Sequence, residues 1–272
     1  MTSLIITMEN LPFSIVTYTA FIFYAFFLLT FEYYIALSSH FLRKEELFMK
    51  QRIKLADRQL PNYSKGEEIF NMVSHIVGAA LGIAALVLCI IVSAKHHSGI
   101  GVVSSCIYGV TLIVLYTMSS VYHGLRPGMG KKVMQVLDHC TIYFLIAGSY
   151  TPILLVPMRA KYPVLAWSLF GLVWGCAIIA CTLTAIDLKK YSVFSMICYL
   201  AMGWVIIIFI KPTIEVMGTG GVILLVAGGI AYTVGSILYG LGSSHKWMHS
   251  IFHLFILAGS ILHFFAIILY AL

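Results

Sequence analysis

A chain of 272 residues that is 61% hydrophobic and only 10% charged does not read as a water-soluble domain, which would carry roughly 25% charged residues. Its mean hydropathy of +0.98 places it in a bilayer, and its length accommodates seven or eight spans of about 20 residues. The net charge of +7 does not point to nucleic acid: Lys and Arg fall between apolar stretches and form no basic stripe with interleaved aromatics.

Eight apolar segments can be read along the chain, so the expected fold is all-α, a multi-pass transmembrane helical bundle. The first runs over about 11–40. It lacks a basic leading region, Glu9 precedes it, and the apolar run from Asn10 to Phe31 exceeds an ordinary signal-peptide core. It reads as a retained membrane helix. A charged connector follows, with a partly amphipathic helical pattern. The remaining spans are expected at about 68–94, 100–124, 134–156, 163–185, 192–210, 219–242 and 248–271. The expected organisation is therefore an additional N-terminal membrane helix (1–41), a basic connector (42–67) and a seven-helix domain (68–272).

Cys89, Cys106, Cys140, Cys176, Cys181 and Cys198 all fall in apolar stretches with no C-x-x-C pair, and read as small hydrophobes of the bundle. Gly78 and Gly82 form a G-x-x-x-G, as do Gly171 and Gly175. Such spacing lets helices approach closely, and both pairs are expected to serve packing within the bundle.

Loop charges set the orientation. The connector carries Arg43, Lys44, Lys50, Arg52, Lys54, Arg58 and Lys65, and Arg126, Lys131, Lys132, Lys189, Lys190 and Lys246 fall on the same side. Only Lys95, Arg159, Lys161 and Lys211 fall opposite, so the bias is thirteen to four. The connector is expected in the cytoplasm, with both termini outside the cell membrane.

The last span carries His245, His249, His253 and His263, the first three spaced by four residues along one helix face. Ionisable residues at membrane depth are costly and mark a cavity, a partner or a metal. Other polar residues join them. Glu68, Asn71 and His75 form E-x-x-N-x-x-x-H at the start of one span. Ser119 and His123 form S-x-x-x-H at the end of the next, and Asp138 lies one turn into the span after that. With the orientation above, these residues together with His249 and His253 sit in one cytoplasmic layer. Three neutral imidazoles with an open position make the ligand set of a catalytic zinc, and two histidines at i and i+4 offer both rings to one ion. A nearby carboxylate could act as general base on the bound water, whose pKa zinc lowers to about 7. His75, His139 and His263 read as hydrogen-bonded core residues, His96 and His97 as solvated, and His245 as lying at the water interface.

The segments "EEIFNMVSHIVGAALG", "SSVYHGL", "LDHCTIYFLIAGSYTPILL" and "MHSIFHLFILAGSILHFF" resemble the hemolysin III family of the progestin and adipoQ receptor (PAQR) superfamily, over about residues 65–272. The resemblance implies a seven-helix PAQR-like core with an intracellular amino-terminal side. It also implies a zinc ion held by His123, His249 and His253, with Ser119 and Asp138 near the metal water as catalytic residues. Glu68, Asn71 and His75 match a further family element. Family members begin near residue 65 here, so the 11–40 span is an addition, and the long soluble amino-terminal region of the receptor branch is lacking.

The wider superfamily is similar to alkaline ceramidases, which share the Ser, Asp and three-His pattern. The expected function is thus a zinc-dependent intramembrane hydrolase, with membrane lipids carrying an amide or ester bond as substrates. A membrane-homeostasis or sensor protein with structural zinc is the alternative. The two differ in whether a lipid-sized cavity opens from the metal. A pore-forming cytolysin, the third reading, has little support, because ionisable residues cluster at one end rather than along a path. Oligomeric state is not legible.

Overall fold

The computed structural model describes residues 53–242 and 245–272. The expected 11–40 span and most of the connector lie outside the described residues. After a short 3-10 turn at Leu55–Asp57 come seven helices: α1 (Lys65–Lys95), α2 (Gly99–Gly124), α3 (Met129–Lys161), α4 (Pro163–Ile186), α5 (Ser192–Ile208), α6 (Ile210–Leu241) and α7 (Met248–Tyr270). All but α5 are long and apolar enough to cross a membrane. At 17 residues, α5 reaches about 25 Å, a little short of the ~30 Å hydrocarbon core. The described chain is a multi-pass helical membrane bundle.

Polarity is inverted relative to a soluble protein. The inner face of α1 is Asn71, His75, Gly78, Gly82, Ala85, Cys89 and Ser93, at helical spacing. Its outer face carries Ile69, Val73, Ile76, Val77, Ile83 and Val87. Large aliphatics outside and small or polar residues inside are what lipid as solvent selects. Among the spans α3 is the central one, with 72% of its most apolar stretch buried against 28–44% for the others. Pro157 has no N–H for the helical ladder, and α3 widens to a π-helical turn over Leu154–Met158.

Helix starts differ from expectation in three places, one of them α3, which begins at Met129 rather than 134. α1 begins at Lys65 because Ser64 and Glu67 form a capping box: the Glu67 carboxylate accepts from Ser64 N (2.8 Å) and Oγ (2.7 Å), and Ser64 Oγ accepts from Glu67 N. The S-x-x-E signal was there in S-K-G-E. α6 begins at Ile210 rather than 219, interrupted at Gly218, whose φ of 67° suits glycine alone.

The glycine pairs part ways. A Cβ at Gly78 would stand 2.6 Å from Tyr116 Cδ1, and one at Gly82 would stand 3.2 Å from Ile113 Cγ1, so this pair seats α1 on α2 as expected. At Gly171 and Gly175 an added Cβ meets nothing within 4 Å. That pair lies on a face of α4 turned from the other described residues, which corrects the packing expectation. Tyr116 cannot readily yield at Gly78, because its hydroxyl donates to Ser260 Oγ at 2.8 Å on α7. Gly78→Ala is therefore expected to cost about 1–3 kcal/mol by overpacking, while Gly171→Ala is neutral. Thermal unfolding of both variants in detergent checks this. All six cysteines are free thiols.

Candidate metal centre

The site forms where the start of α1, the end of α2 and the starts of α3 and α7 meet. His123 sits in the last turn of α2, and His249 and His253 sit in the first turns of α7. All three are buried. Nε2 of His249 lies 3.4 Å from Nε2 of His123 and 3.0 Å from Nε2 of His253, and one ligand atom from each ring falls within 4.8 Å of the others. A tetrahedral ion with bonds of about 2.0–2.1 Å sets its ligand nitrogens roughly 3.3 Å apart. The two Nε2 separations bracket that value, so the three rings could hold a metal ion.

The surroundings fix the orientation of His123. Its Nδ1 lies 2.7 Å from Glu68 Oε2. A carboxylate only accepts, so Nδ1 carries the proton and Nε2 turns a lone pair toward the other two rings. Lys131 at the start of α3 holds Glu68 in turn, its Nζ donating to Oε1 at 2.7 Å. The same ammonium donates to the carbonyls of Leu125 (3.1 Å) and His123 (3.5 Å) and is almost fully buried. One chain of contacts thus joins α3, α1 and α2 to the His123 ring.

The rest of the E-x-x-N-x-x-x-H element lies deeper along α1. His75 stacks on His253, ring centres 3.8 Å apart, but is outside the metal-competent group. Both its ring nitrogens, the Asn71 side-chain amide and His253 Nδ1 are buried without a hydrogen-bond partner among the described residues, which corrects the reading of His75 as a hydrogen-bonded core residue. From the connector, Tyr63 stacks on His249 at 4.7 Å and 22° and roofs the trio.

A cavity of about 1010 Å³ opens beside the histidines. His249, His253, Ser119 and Asp138 all line it at this end. Farther from the site its wall is largely apolar, including Ile153, Ile206 and Leu225. Its volume matches the upper end of ligand pockets, about 300–1,000 Å³.

The other histidines fall as read from the sequence. His139 bonds through Nδ1 to Gln135 O (2.8 Å) and through Nε2 to the Tyr239 hydroxyl (3.1 Å). His263 bonds to Leu225 O at 3.1 Å. His96 and His245 are exposed. Sequence reasoning missed Lys131 and Tyr63. Lys131 had counted as a loop cation, and nothing in "GMGKKVM" separates the buried Lys131 from its more exposed neighbour Lys132.

Fold and site together define a helical membrane protein with a buried three-histidine cluster beside a large cavity. A family model described as Haemolysin-III related matches residues 63–264, and the chain belongs to that family. It is similar to Hemolysin-3 of Bacillus cereus, 40% identical over 206 residues that span 76% of this chain and 92% of that protein. It is also similar to the Hemolysin-3 homolog of Bacillus subtilis (strain 168), at 37% over 75% of this chain and 94% of that one. The monocyte to macrophage differentiation factor of Homo sapiens is 29% identical, over 61% and 69%.

Proposed function

We propose that the protein is a zinc-dependent intramembrane hydrolase that cleaves an amide or ester bond in a membrane lipid. His123, His249 and His253 hold the zinc. The observation that carries this reading is the cavity: a zinc that merely clamps α2 to α7 needs no large, mostly apolar space beside it, and a lipid hydrolase does. The donor set supports the metal, since three imidazoles converge with one tautomer already imposed by Glu68.

Bound there, zinc supplies Lewis acidity and makes water acidic enough to be used at neutral pH. The protein's own groups do the rest. The apolar wall takes the acyl chain and brings the carbonyl to the histidine end. Asp138 accepts a proton from the attacking water on its carboxylate and returns it to the leaving nitrogen or oxygen as the acyl bond breaks. The Ser119 hydroxyl donates to the carbonyl oxygen as charge develops on it. Tyr63 and the end of the connector exclude bulk water above the trio.

The thirteen-to-four charge bias supports placing this end on the cytoplasmic side of the cell membrane, with both termini outside. Residues 68–272 are then the catalytic domain, preceded by the basic stretch 42–67.

The test is turnover of a panel of fluorescent acyl amides and esters by purified protein. Chelation is expected to abolish turnover and zinc to restore it. Asp138→Asn is expected to keep its zinc while turnover falls by about 10²–10⁴-fold. Full activity after complete removal of metal sinks the proposal.

A further inference from the structure

At the end of the cavity that holds the histidines lies a cation with no ion-pair partner among the described residues. Arg58 is only 8% exposed, yet its Nε and Nη1 are buried and donate to nothing among the described residues. Asp187, the carboxylate whose charge it feels, makes no ion pair with it among the described residues. Asp187 Oδ1 instead accepts the backbone N–H groups of Lys189 (3.2 Å) and Lys190 (3.1 Å). Burial holds the Arg58 guanidinium below its usual pKa against the pull of Asp187. A buried guanidinium with unspent donors is unfavourable until an oxyanion meets its planar fork.

The surroundings favour an anion. Lys189 and Lys246 line the same end of the cavity. Two carboxylates line it as well, Asp138 and Glu67, the latter accepting from Ser64 and from Trp247 N at 2.6 Å, and the three cations Arg58, Lys189 and Lys246 outnumber them. Beyond this end the wall turns apolar. Charge at one end and hydrocarbon at the other is the pattern of an amphiphile.

We propose that Arg58 binds the phosphate headgroup of a single-acyl-chain lipid, whose chain fills the cavity and whose acyl linkage lies at the three histidines. This names the substrate class and rests on the hydrolase reading for the fate of the bound lipid, but the binding itself does not.

The experiment measures equilibrium binding of labelled oleoyl lysophosphatidic acid and of uncharged monooleoylglycerol to the full chain in neutral detergent. The wild type is expected to prefer the phosphate lipid by at least roughly tenfold, as a charge-assisted contact supplies. Arg58→Gln is expected to erase that preference while leaving monooleoylglycerol binding unchanged, which also shows that the cavity is still formed. Arg58→Lys, with a point charge in place of the fork, is expected to retain part of it. His253→Ala is expected to keep the full preference while losing turnover, so a failed hydrolase reading stays distinct from a failed headgroup site. Inorganic phosphate is expected not to displace the lipid; displacement would make free phosphate the ligand and overturn the lipid assignment. Equal binding of both lipids by the wild type, an undiminished preference in Arg58→Gln, or loss of both lipids in both Arg58 variants overturns the proposal.

Discussion

Purified His253→Ala protein is expected to carry almost no zinc. Its Nε2 lies 3.0 Å from that of His249 at the centre of the cluster, so its removal leaves two ligands where three are needed. Loss of a direct ligand should exceed the about 10–100-fold drop in metal affinity that follows loss of an outer hydrogen-bond partner. His263→Ala is the control on the same helix. That ring is buried and bonds Leu225 O, so its loss perturbs packing without touching the cluster. His75→Ala is a sharper control: the ring stacks on His253 but lies outside the metal-competent group, so zinc content should hold. Elemental analysis of the three variants beside the wild type decides. Wild-type zinc in His253→Ala removes the ligand assignment, and loss of zinc in His263→Ala shows that the assay reports folding.

Glu68→Gln is expected to act on metal and stability by separable routes. For the metal, a neutral amide no longer stabilises the proton on His123 Nδ1 as the carboxylate does. Zinc affinity should fall by about 10–100-fold, measured by competition with a chelator of known affinity. For stability, the substitution strands the Lys131 ammonium, whose side chain is 3% exposed. Breaking a fully buried pair costs about 3–5 kcal/mol. Glu68 keeps 20% of its side-chain exposure, so the expected loss sits at or below the lower end of that range. Adding Lys131→Met removes the stranded charge. The double variant should recover unfolding temperature while its zinc affinity stays low. Recovery of both together would mean that Glu68 serves Lys131 alone and does not orient His123.

Much of this architecture follows from composition and periodicity. In lipid a helix satisfies its own backbone, so an uninterrupted apolar run of sufficient length specifies a span with little help from its neighbours. The boundaries of α2, α4 and α7 accordingly match the apolar runs to within a few residues. The errors fall at helix starts: α3 begins at Met129, through Lys131 and Lys132 that hydropathy reads as loop, and at two others a local device of the chain decides. The capping box carries α1 back to Lys65, and α6 continues on the far side of a glycine with positive φ. The two G-x-x-x-G pairs look alike in sequence. Only the neighbouring helix decides that one is a seam and the other faces away.

The site divides along the same line. The histidines, Ser119 and Asp138 stood out because an ionisable or polar group at membrane depth is costly enough to need a reason, and that cost is visible residue by residue. The S-x-x-x-H and H-x-x-x-H spacings placed them at one end of the bundle. What the tertiary structure alone decided is which nitrogen faces which. Glu68 and His123 are 55 residues apart, and His123 and His249 are 126 apart. Burial of Arg58 and Lys131 was equally hidden, since a lysine or arginine near a span end reads as a solvated loop charge whether it points outward or folds inward. Hydropathy assigns a residue to a depth in the membrane. Its direction around the helix axis, and so its chemistry, comes from the helices packed against it.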